Sequence, residues 1–152
     1  MMNKKFKGLN MTRRDLMKVA TLTALTSVTA SAFDKKLIVN TIDVKPKDPK
    51  NLTKGEKKHT PDISLRGVDK AGYTLVEVTV GQDEIIHPST EKHWIYEIEL
   101  YADDKKIDTV SLEPVISRGY LGTRVKLDGV KALKAVAKCN LHGNYTGTLA
   151  LA

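Results

Sequence analysis

The stretch Thr74-Leu75-Val76-Glu77-Val78-Thr79-Val80 is rich in β-branched residues and alternates apolar with polar positions between Gly72 and Gly81. Successive side chains of a β-strand point to opposite faces, so this pattern buries one face and leaves the other in contact with solvent. β-Branched residues also pack well on a pleated sheet. The pattern therefore predicts a half-buried strand that ends in a glycine turn on each side.

Further strand-length runs follow at short intervals. Trp94-Ile95-Tyr96-Glu97-Ile98-Glu99-Leu100 also alternates, and it ends at the turn Ala102-Asp103-Asp104-Lys105. The remaining runs cover residues 107–112, 123–127, 133–137 and 145–151. Short strands at this spacing, with no long amphipathic segment after residue 32, predict an all-β fold arranged as an antiparallel β-sandwich.

Residues 1–32 have the features of an export leader. Thr12-Arg13-Arg14-Asp15-Leu16-Met17-Lys18 is a twin-arginine pattern, and an uncharged stretch runs from it to the cleavage-type signal Ala30-Ser31-Ala32. We expect a twin-arginine signal peptide over residues 1–32, recognised by the twin-arginine export machinery, and a periplasmic mature protein. The alternatives are an amphipathic N-terminal helix or an uncleaved anchor.

The net charge of +7 comes mostly from this leader. Six of the 25 Lys and Arg residues and one of the 18 Asp and Glu residues lie within residues 1–32, which leaves the remainder at +2. A nearly balanced chain without a basic and aromatic stripe gives no reason to propose nucleic-acid binding. One cysteine also excludes an internal disulfide.

The mature chain begins with a polar segment. Residues 33–55 are rich in Lys, Asp and Pro and show no helical periodicity, so we expect an arm or linker in which Leu37-Ile38-Val39 is a candidate short strand. Residues 56–152 are expected to form the sandwich and to carry the functional residues.

All candidate nitrogen and sulfur ligands of the chain could converge on one ion. The chain has one cysteine and four histidines, which are Cys139, His59, His87, His93 and His142. A lone cysteine is usually an inert buried residue, and a lone histidine is usually exposed or satisfied within a core. The complete set nevertheless makes a metal site the leading interpretation.

The spacing of these residues favours loops over a helix. His87 and His93 are six positions apart, which would place them on different faces of a helix, and Pro88 would interrupt it. Cys139 and His142 are three positions apart directly after a predicted strand, a spacing that a tight turn can fold onto one ion.

Three blocks of sequence resemble those of the superoxide reductases, the family of neelaredoxin and of the iron-centre-II domain of desulfoferrodoxin. They span about residues 56 to 145 in family order. The blocks are Lys58-His59-Thr60-Pro61, then His87-Pro88-Ser89-Thr90-Glu91-Lys92-His93-Trp94-Ile95 with Glu99-Leu100-Tyr101-Ala102-Asp103, and finally Cys139-Asn140-Leu141-His142-Gly143.

The resemblance implies an immunoglobulin-like sandwich that reduces superoxide to hydrogen peroxide with one electron. It also implies one mononuclear non-haem iron per chain, cycling between Fe2+ and Fe3+, with an open sixth position. The implied ligands are four equatorial histidines and an axial cysteine, namely His59, His87, His93, His142 and Cys139. The chain has no CxxC…CxxC block for a second iron centre, so the resemblance is to a one-iron enzyme.

Such an enzyme needs a separate electron-donor protein, either rubredoxin-like or a cytochrome. A homo-oligomer is left open by the sequence.

The ligand set also bears on the choice of metal. Four imidazoles and a thiolate exceed the four-coordinate cage of structural zinc, and a blue-copper site needs two histidines, one cysteine and a weak axial ligand. The competing interpretation is a non-enzymatic metal-binding or electron-transfer module on the same fold, because a fold does not by itself define an activity.

Two residues before His59 are candidates for a direct role in the reaction. Lys58 keeps the position of the family lysine, which implies that it guides superoxide and stabilises the peroxide, whereas Lys57 is interpreted as a solvated cation. The family glutamate can occupy the sixth position in the oxidised state, but Glu56 stands one place earlier than the family pattern. On an extended strand Glu56 and Lys58 would share a side, so Glu56 stays a candidate sixth ligand.

Overall fold

The structure, a computed structural model, describes residues 33–151. The expected twin-arginine leader and its cleavage signal lie outside the described residues. Within residues 33–151, no helix is both long enough and apolar enough to cross a membrane.

Seven strands and two short helices make up the described chain. A 3-10 helix, Lys35–Leu37, comes first. The other elements in chain order are α1 (Lys54–His59), β1 (Pro61–Val68), β2 (Thr74–Val80), β3 (Ile95–Ala102), β4 (Lys105–Ser111), β5 (Tyr120–Val125), β6 (Ala132–Cys139) and β7 (Gly143–Ala150).

The strands form two antiparallel sheets. One sheet has the order β1-β2-β5 and the other has the order β4-β3-β6-β7. This arrangement confirms the expected all-β, immunoglobulin-like antiparallel sandwich.

The core lies between the sheets and follows the alternation of the sequence. In β2 the buried apolar positions are Val76, Val78 and Val80, and in β6 every second residue from Leu133 to Cys139 is buried. Trp94, at the entrance to β3, is fully buried and donates its indole N–H to the carbonyl of Leu112 at 3.3 Å. Burial of these side chains is the main favourable contribution to folding.

Two elements were not expected from the sequence. The strand β1 alternates only in its first half and is mostly exposed from Leu65 onward, so its pattern was too weak to identify. The helix α1 has only six residues, and its signal is a capping box in which Thr53 and Glu56 bond each other's backbone N–H groups.

One local expectation was wrong. Residues 37–39 do not form a strand, because the chain turns through the 3-10 helix Lys35–Leu37. The carboxylate of Asp34 accepts the N–H of Lys36 at 2.9 Å, which caps this helix and makes a helical turn favourable at its start.

Candidate metal centre

Three segments bring the predicted ligands to one end of the sandwich. His59 is the last residue of α1, the loop between β2 and β3 carries His87 and His93, and the β6–β7 connection carries Cys139 and His142. Strands β3 and β6 are paired, with Ile95 opposite Cys139, so the chain that enters β3 and the chain that leaves β6 meet at the same edge.

The four imidazole rings are arranged as a quadrilateral. Neighbouring ring centroids are 4.7 Å apart for His59 and His87, 4.6 Å for His87 and His93, 4.8 Å for His93 and His142, and 4.7 Å for His142 and His59. The diagonal from His59 to His93 is longer, at 5.8 Å. Each neighbouring pair is close to perpendicular, with interplanar angles of 72°, 78°, 72° and 73°.

This spacing fits four imidazoles around one ion. An imidazole nitrogen about 2.1 Å from a metal places its ring centroid about 3.3 Å from that metal. Two rings at right angles around the metal then have centroids about 4.6 Å apart. The observed sides of the quadrilateral match this value, and the rings are therefore placed as equatorial ligands would be.

The ligand atoms are close together for four of the five residues. One donor atom from each of His59, His93, Cys139 and His142 lies within 4.8 Å of the others. His59 Nε2 is 3.0 Å from His142 Nδ1, and Cys139 Sγ is 3.5 Å from the same nitrogen. His87 is not in this tight set, although its ring packs against the rings of His59 and His93.

Hydrogen bonds orient the rings of His59 and His87. The Nδ1 atom of His59 lies 2.7 Å from the carbonyl of Gly55, and Nδ1 of His87 lies 2.7 Å from the carbonyl of Pro88. A carbonyl only accepts, so each Nδ1 carries the proton and each Nε2 keeps its lone pair, as is usual for histidines that bind metals.

Two buried nitrogen atoms have no hydrogen-bond partner among residues 33–151. They are Nε2 of His87 and Nε2 of His93. Unpaired buried polar atoms are costly, and a bound ion would satisfy both of them. This observation, together with the ring spacing, shows that the residues present fit a metal.

The histidines are held in the neutral form that a metal requires. Burial, reinforced by the neighbouring imidazoles and by the charge of Lys58, lowers the pKa of His87 to about 3 and that of His93 to about 4. Burial likewise lowers the pKa of His59, and the Gly55 carbonyl opposes this change. Proton competition with a metal is therefore weak at neutral pH.

Cys139 lies at the end of β6 and is fully buried. Burial raises the pKa of its thiol, and the backbone N–H groups of Leu141 and His142, which point at the sulfur, oppose that rise. These two N–H groups would stabilise a thiolate, and a metal that binds the sulfur displaces its proton.

The residues before His59 are placed by a helix, so the assumption of an extended strand there was wrong. Glu56 closes the capping box of α1, where its carboxylate accepts the N–H and the hydroxyl of Thr53, each at 2.8 Å, and the N–H of Lys47 at 3.2 Å. In this arrangement the carboxylate is directed at the start of the helix. The N–H of Thr53 is the largest cause that lowers its pKa.

Lys58 lies beside the centre, where its positive charge contributes to the lowered pKa values of His59, His87 and His93. Within the described part of the chain, its ammonium group forms no ion pair. Lys57 instead donates to Asp83 at 2.6 Å. Of the two lysines, Lys58 therefore has the free charge next to the candidate ligands.

Sequence reasoning assigned no role to two residues that contact the centre. The ring of Tyr145 stacks on His59 with centroids 4.7 Å apart and an interplanar angle of 22°. Asn140, buried between Cys139 and His142, bonds the loop that carries His93. Asn140 belongs to the quoted Cys-Asn-x-His-Gly block, which was a usable signal, whereas no local pattern singled out Tyr145.

Comparisons with known proteins agree with this geometry. The sequence matches the desulfoferrodoxin family over residues 51–148. It is 36% identical over 104 residues to the "Putative superoxide reductase" of Methanocaldococcus jannaschii, a match that covers 62% of this chain and 82% of the relative.

Solved structures show the same fold. The superoxide reductase (1Fe-SOR) of Giardia intestinalis aligns with a TM-score of 0.53 at 29% identity, covering 62% of this chain and 99% of its own. A reduced-form variant of the superoxide reductase (neelaredoxin) from Archaeoglobus fulgidus aligns with a TM-score of 0.58 at 24% identity, covering 67% of this chain and 94% of its own, and supports the fold alone. By its sequence match, its sandwich and its cluster of histidines around one cysteine, this chain belongs to the desulfoferrodoxin family.

Proposed function

We propose that this chain is a one-iron superoxide reductase. It would reduce superoxide to hydrogen peroxide by one electron at a mononuclear non-haem iron bound by His59, His87, His93, His142 and Cys139. The observation that carries the proposal is the quadrilateral of imidazoles with the cysteine sulfur 3.5 Å from one ring nitrogen. The Giardia relative, described as a one-iron superoxide reductase, supports the same assignment.

The bound iron supplies the electron for the reaction, in which superoxide gains one electron and two protons to become hydrogen peroxide. The histidines contribute neutral nitrogen donors whose orientation is fixed by backbone carbonyls. The N–H groups of Leu141 and His142 hold the negative charge of the Cys139 sulfur. A separate electron-donor protein, rubredoxin-like or a cytochrome, would return the electron after each turnover.

Lys58 is proposed to guide the substrate. Superoxide is a small anion, and an unpaired ammonium group beside the entrance to a site raises the encounter rate by electrostatic attraction. Because Lys57 is neutralised by Asp83, Lys58 carries most of this effect on α1. Glu56 would contribute to the centre only by leaving its capping box.

The expected leader adds a proposal about localisation. Residues 1–32 would direct the protein to the periplasm by the twin-arginine route, which exports proteins already folded. Loading in the cytoplasm would protect a ferrous site from copper and zinc, which bind nitrogen and sulfur ligands more tightly than ferrous iron does.

The activity can be tested by mixing the anaerobic ferrous protein with superoxide in a stopped-flow instrument. We expect rapid oxidation of the iron and one hydrogen peroxide for each superoxide consumed, with no release of dioxygen. Dismutation would instead release dioxygen and halve the yield of peroxide. Ferrous protein that superoxide fails to oxidise would favour a non-enzymatic metal-binding or electron-transfer module, and zinc-loaded protein is the redox-inert control.

A further inference from the structure

Asn140 is a wholly buried amide that bonds three separate stretches of backbone. Its Oδ1 accepts the N–H of Trp94 at 2.9 Å. Its Nδ2 donates to the carbonyl of Leu37 at 3.0 Å and to the carbonyl of Lys92 at 2.9 Å. Both N–H groups of the amide are therefore used, and the oxygen is also occupied.

The backbone of Asn140 adds two more bonds to the same neighbours. Its N–H donates to the carbonyl of Trp94 at 3.2 Å, and its carbonyl accepts the N–H of Val39 at 2.9 Å. Five hydrogen bonds thus meet at one residue and join three segments. These segments are the β6–β7 turn, the chain around His93 and residues 33–47, which we call the arm.

The arm continues across the turn beyond this point. The N–H of Asn144 donates to the carbonyl of Ile42 at 2.9 Å, and the N–H of Val44 donates to the carbonyl of Asn144 at 2.8 Å. Gly143 has a φ of +90°, and a Cβ atom there would lie 2.4 Å from the carbonyl oxygen of Ile42. A glycine is therefore needed where the arm passes over the turn.

The position of Asn140 connects it to two groups of candidate ligands. Lys92 and Trp94, its partners on one side, are the two neighbours of His93. Asn140 itself lies between Cys139 and His142. We infer that Asn140 is a positioning residue that, together with the arm, holds the His93 segment and the Cys139–His142 turn in their binding arrangement before a metal enters.

This inference rests on the proposed function only in treating these residues as metal ligands. Its physical basis is that a buried amide with every hydrogen bond satisfied has one favourable orientation, and losing any partner leaves a buried polar group unpaired. Outer partners of this kind commonly change metal affinity by about ten- to a hundredfold when they are replaced.

Asn140→Asp and Asn144→Asp form a matched pair of variants in the full chain. Asn140→Asp keeps the shape but turns the donor that faces Leu37 and Lys92 into an acceptor. Asn144→Asp makes the same change where Nδ2 donates only to the arm, at Thr41 and Asp43. The control therefore disturbs the arm without touching the chain around His93.

Cobalt(II) titration of the metal-free protein gives the main readout, through the sulfur-to-cobalt charge-transfer absorption. We expect Asn140→Asp to weaken cobalt binding about ten- to a hundredfold and to shift this absorption even at saturating cobalt. Asn144→Asp should stay close to the wild type. Equal effects of the two variants, or a wild-type spectrum in folded Asn140→Asp, would overturn the inference.

Val39→Pro and Val39→Ala test the contribution of the arm without changing Asn140. Val39 is 69% exposed and Ile38 is extended, so proline fits there and removes only the N–H that bonds Asn140. We expect Val39→Pro to weaken cobalt binding and to speed the reaction of the Cys139 thiol with a disulfide reagent, whereas Val39→Ala should do neither.

Identical behaviour of the two Val39 variants would overturn the role of the arm, even if Asn140→Asp failed to fold. These measurements use cobalt and a thiol reagent, so they hold whether or not the iron form reduces superoxide. Failure of the proposed function and failure of this inference are therefore distinguishable.

Discussion

Cys139 combines full burial with two backbone N–H groups directed at its sulfur, an environment that suits a metal-bound thiolate better than a reactive surface thiol. We expect Cys139→Ser to keep the fold, because the side chains are nearly equal in volume, but to weaken iron binding and abolish superoxide reduction. Circular dichroism, iron content and stopped-flow oxidation measure the three effects. Superoxide reduction at the wild-type rate in this variant would contradict the role of the thiolate.

Lys58 and Lys57 differ in their partners although they are adjacent. We expect Lys58→Ala to lower the second-order rate constant with superoxide about tenfold and to reduce its dependence on ionic strength, because one unpaired steering charge is lost. Lys57→Ala is the matched control, since the Lys57 charge is already paired with Asp83. It should change the rate much less.

Glu56→Ala completes this comparison. Its carboxylate serves the capping box of α1, so the variant should lose helix stability while keeping the rate constant with superoxide close to that of the wild type. A larger loss of rate from Glu56→Ala than from Lys58→Ala would reverse the assignment and place the carboxylate at the centre.

At this scale the sequence predicted the ligand candidates well, because histidine and cysteine are rare in the chain and fall into three recognisable blocks. It did not predict their supporting residues. The stacking of Tyr145 on His59 depends on β7 lying beside α1, which is a tertiary relation without a local pattern. The extended conformation expected around Glu56 was wrong because a capping box in a six-residue helix leaves no hydrophobic period to read.

At the scale of elements, α1 sets the position of His59. We expect Thr53→Ala to lower the free energy of unfolding by about 1 kcal/mol, because it removes the side-chain cap of the helix. It should also weaken cobalt binding, since His59 is the last residue of the same helix. Chemical denaturation and cobalt titration measure these effects. Thr148→Ala, at an exposed position of β7, is the control and should leave both unchanged.

The strands were predictable to the extent that they are half-buried. The bounds expected for β2, residues 74–80, are those observed, because a clean alternation is enclosed by two glycines. The runs expected at 123–127 and 133–137 lie within or across β5 and β6 but differ from them by up to three residues at one end. Strand ends depend on pairing with neighbours, and that information is not local.

At the scale of the whole molecule, Glu99 forms a network on the outer face of the four-stranded sheet. It accepts from Lys106 at 3.0 Å, from Tyr101 at 2.8 Å and from Lys138 at 3.1 Å. Burial would raise the pKa of Glu99, but these hydrogen bonds outweigh burial and lower it to about 2. A carboxyl group with a lowered pKa stabilises the fold above its ordinary pKa of 4.5, and this contribution is lost as the pH falls toward 2.

We therefore expect Glu99→Gln to be less stable than the wild type near neutral pH, and the difference to shrink as the pH falls from 4.5 toward 2. Denaturant unfolding over this range measures it, and the buried histidines titrate in both proteins and cancel. Glu91→Gln, at an exposed position, should give a small difference at every pH. A difference for Glu99→Gln that does not change with pH would show that the network acts through packing.

Export is also a property of the whole chain. Replacing Arg13 and Arg14 with lysine should leave the precursor in the cytoplasm, because the paired arginines are the recognition feature of the twin-arginine route. Cell fractionation and immunoblotting measure the distribution, and Lys4→Arg with Lys5→Arg is the matched control. Mature protein in the periplasm at wild-type levels would show that another route is used.

The sandwich as a whole followed from the sequence, because short alternating runs without long helices leave few other folds. The order of strands in each sheet did not. Pairing of β3 with β6 joins residues about 40 positions apart, and Ile95 meets Cys139 only in the finished sheet. That pairing is what brings the two blocks of ligands together.

The distribution of the ligands along the chain also has a consequence in time. His59 and His142 are 83 positions apart, and contacts so distant in sequence form late when a protein folds. An ion that meets the chain during synthesis finds only fragments, such as the pair of His87 and His93, and fragments bind weakly. Strong binding begins only once the last hairpin has paired, so metal occupancy records that folding is complete.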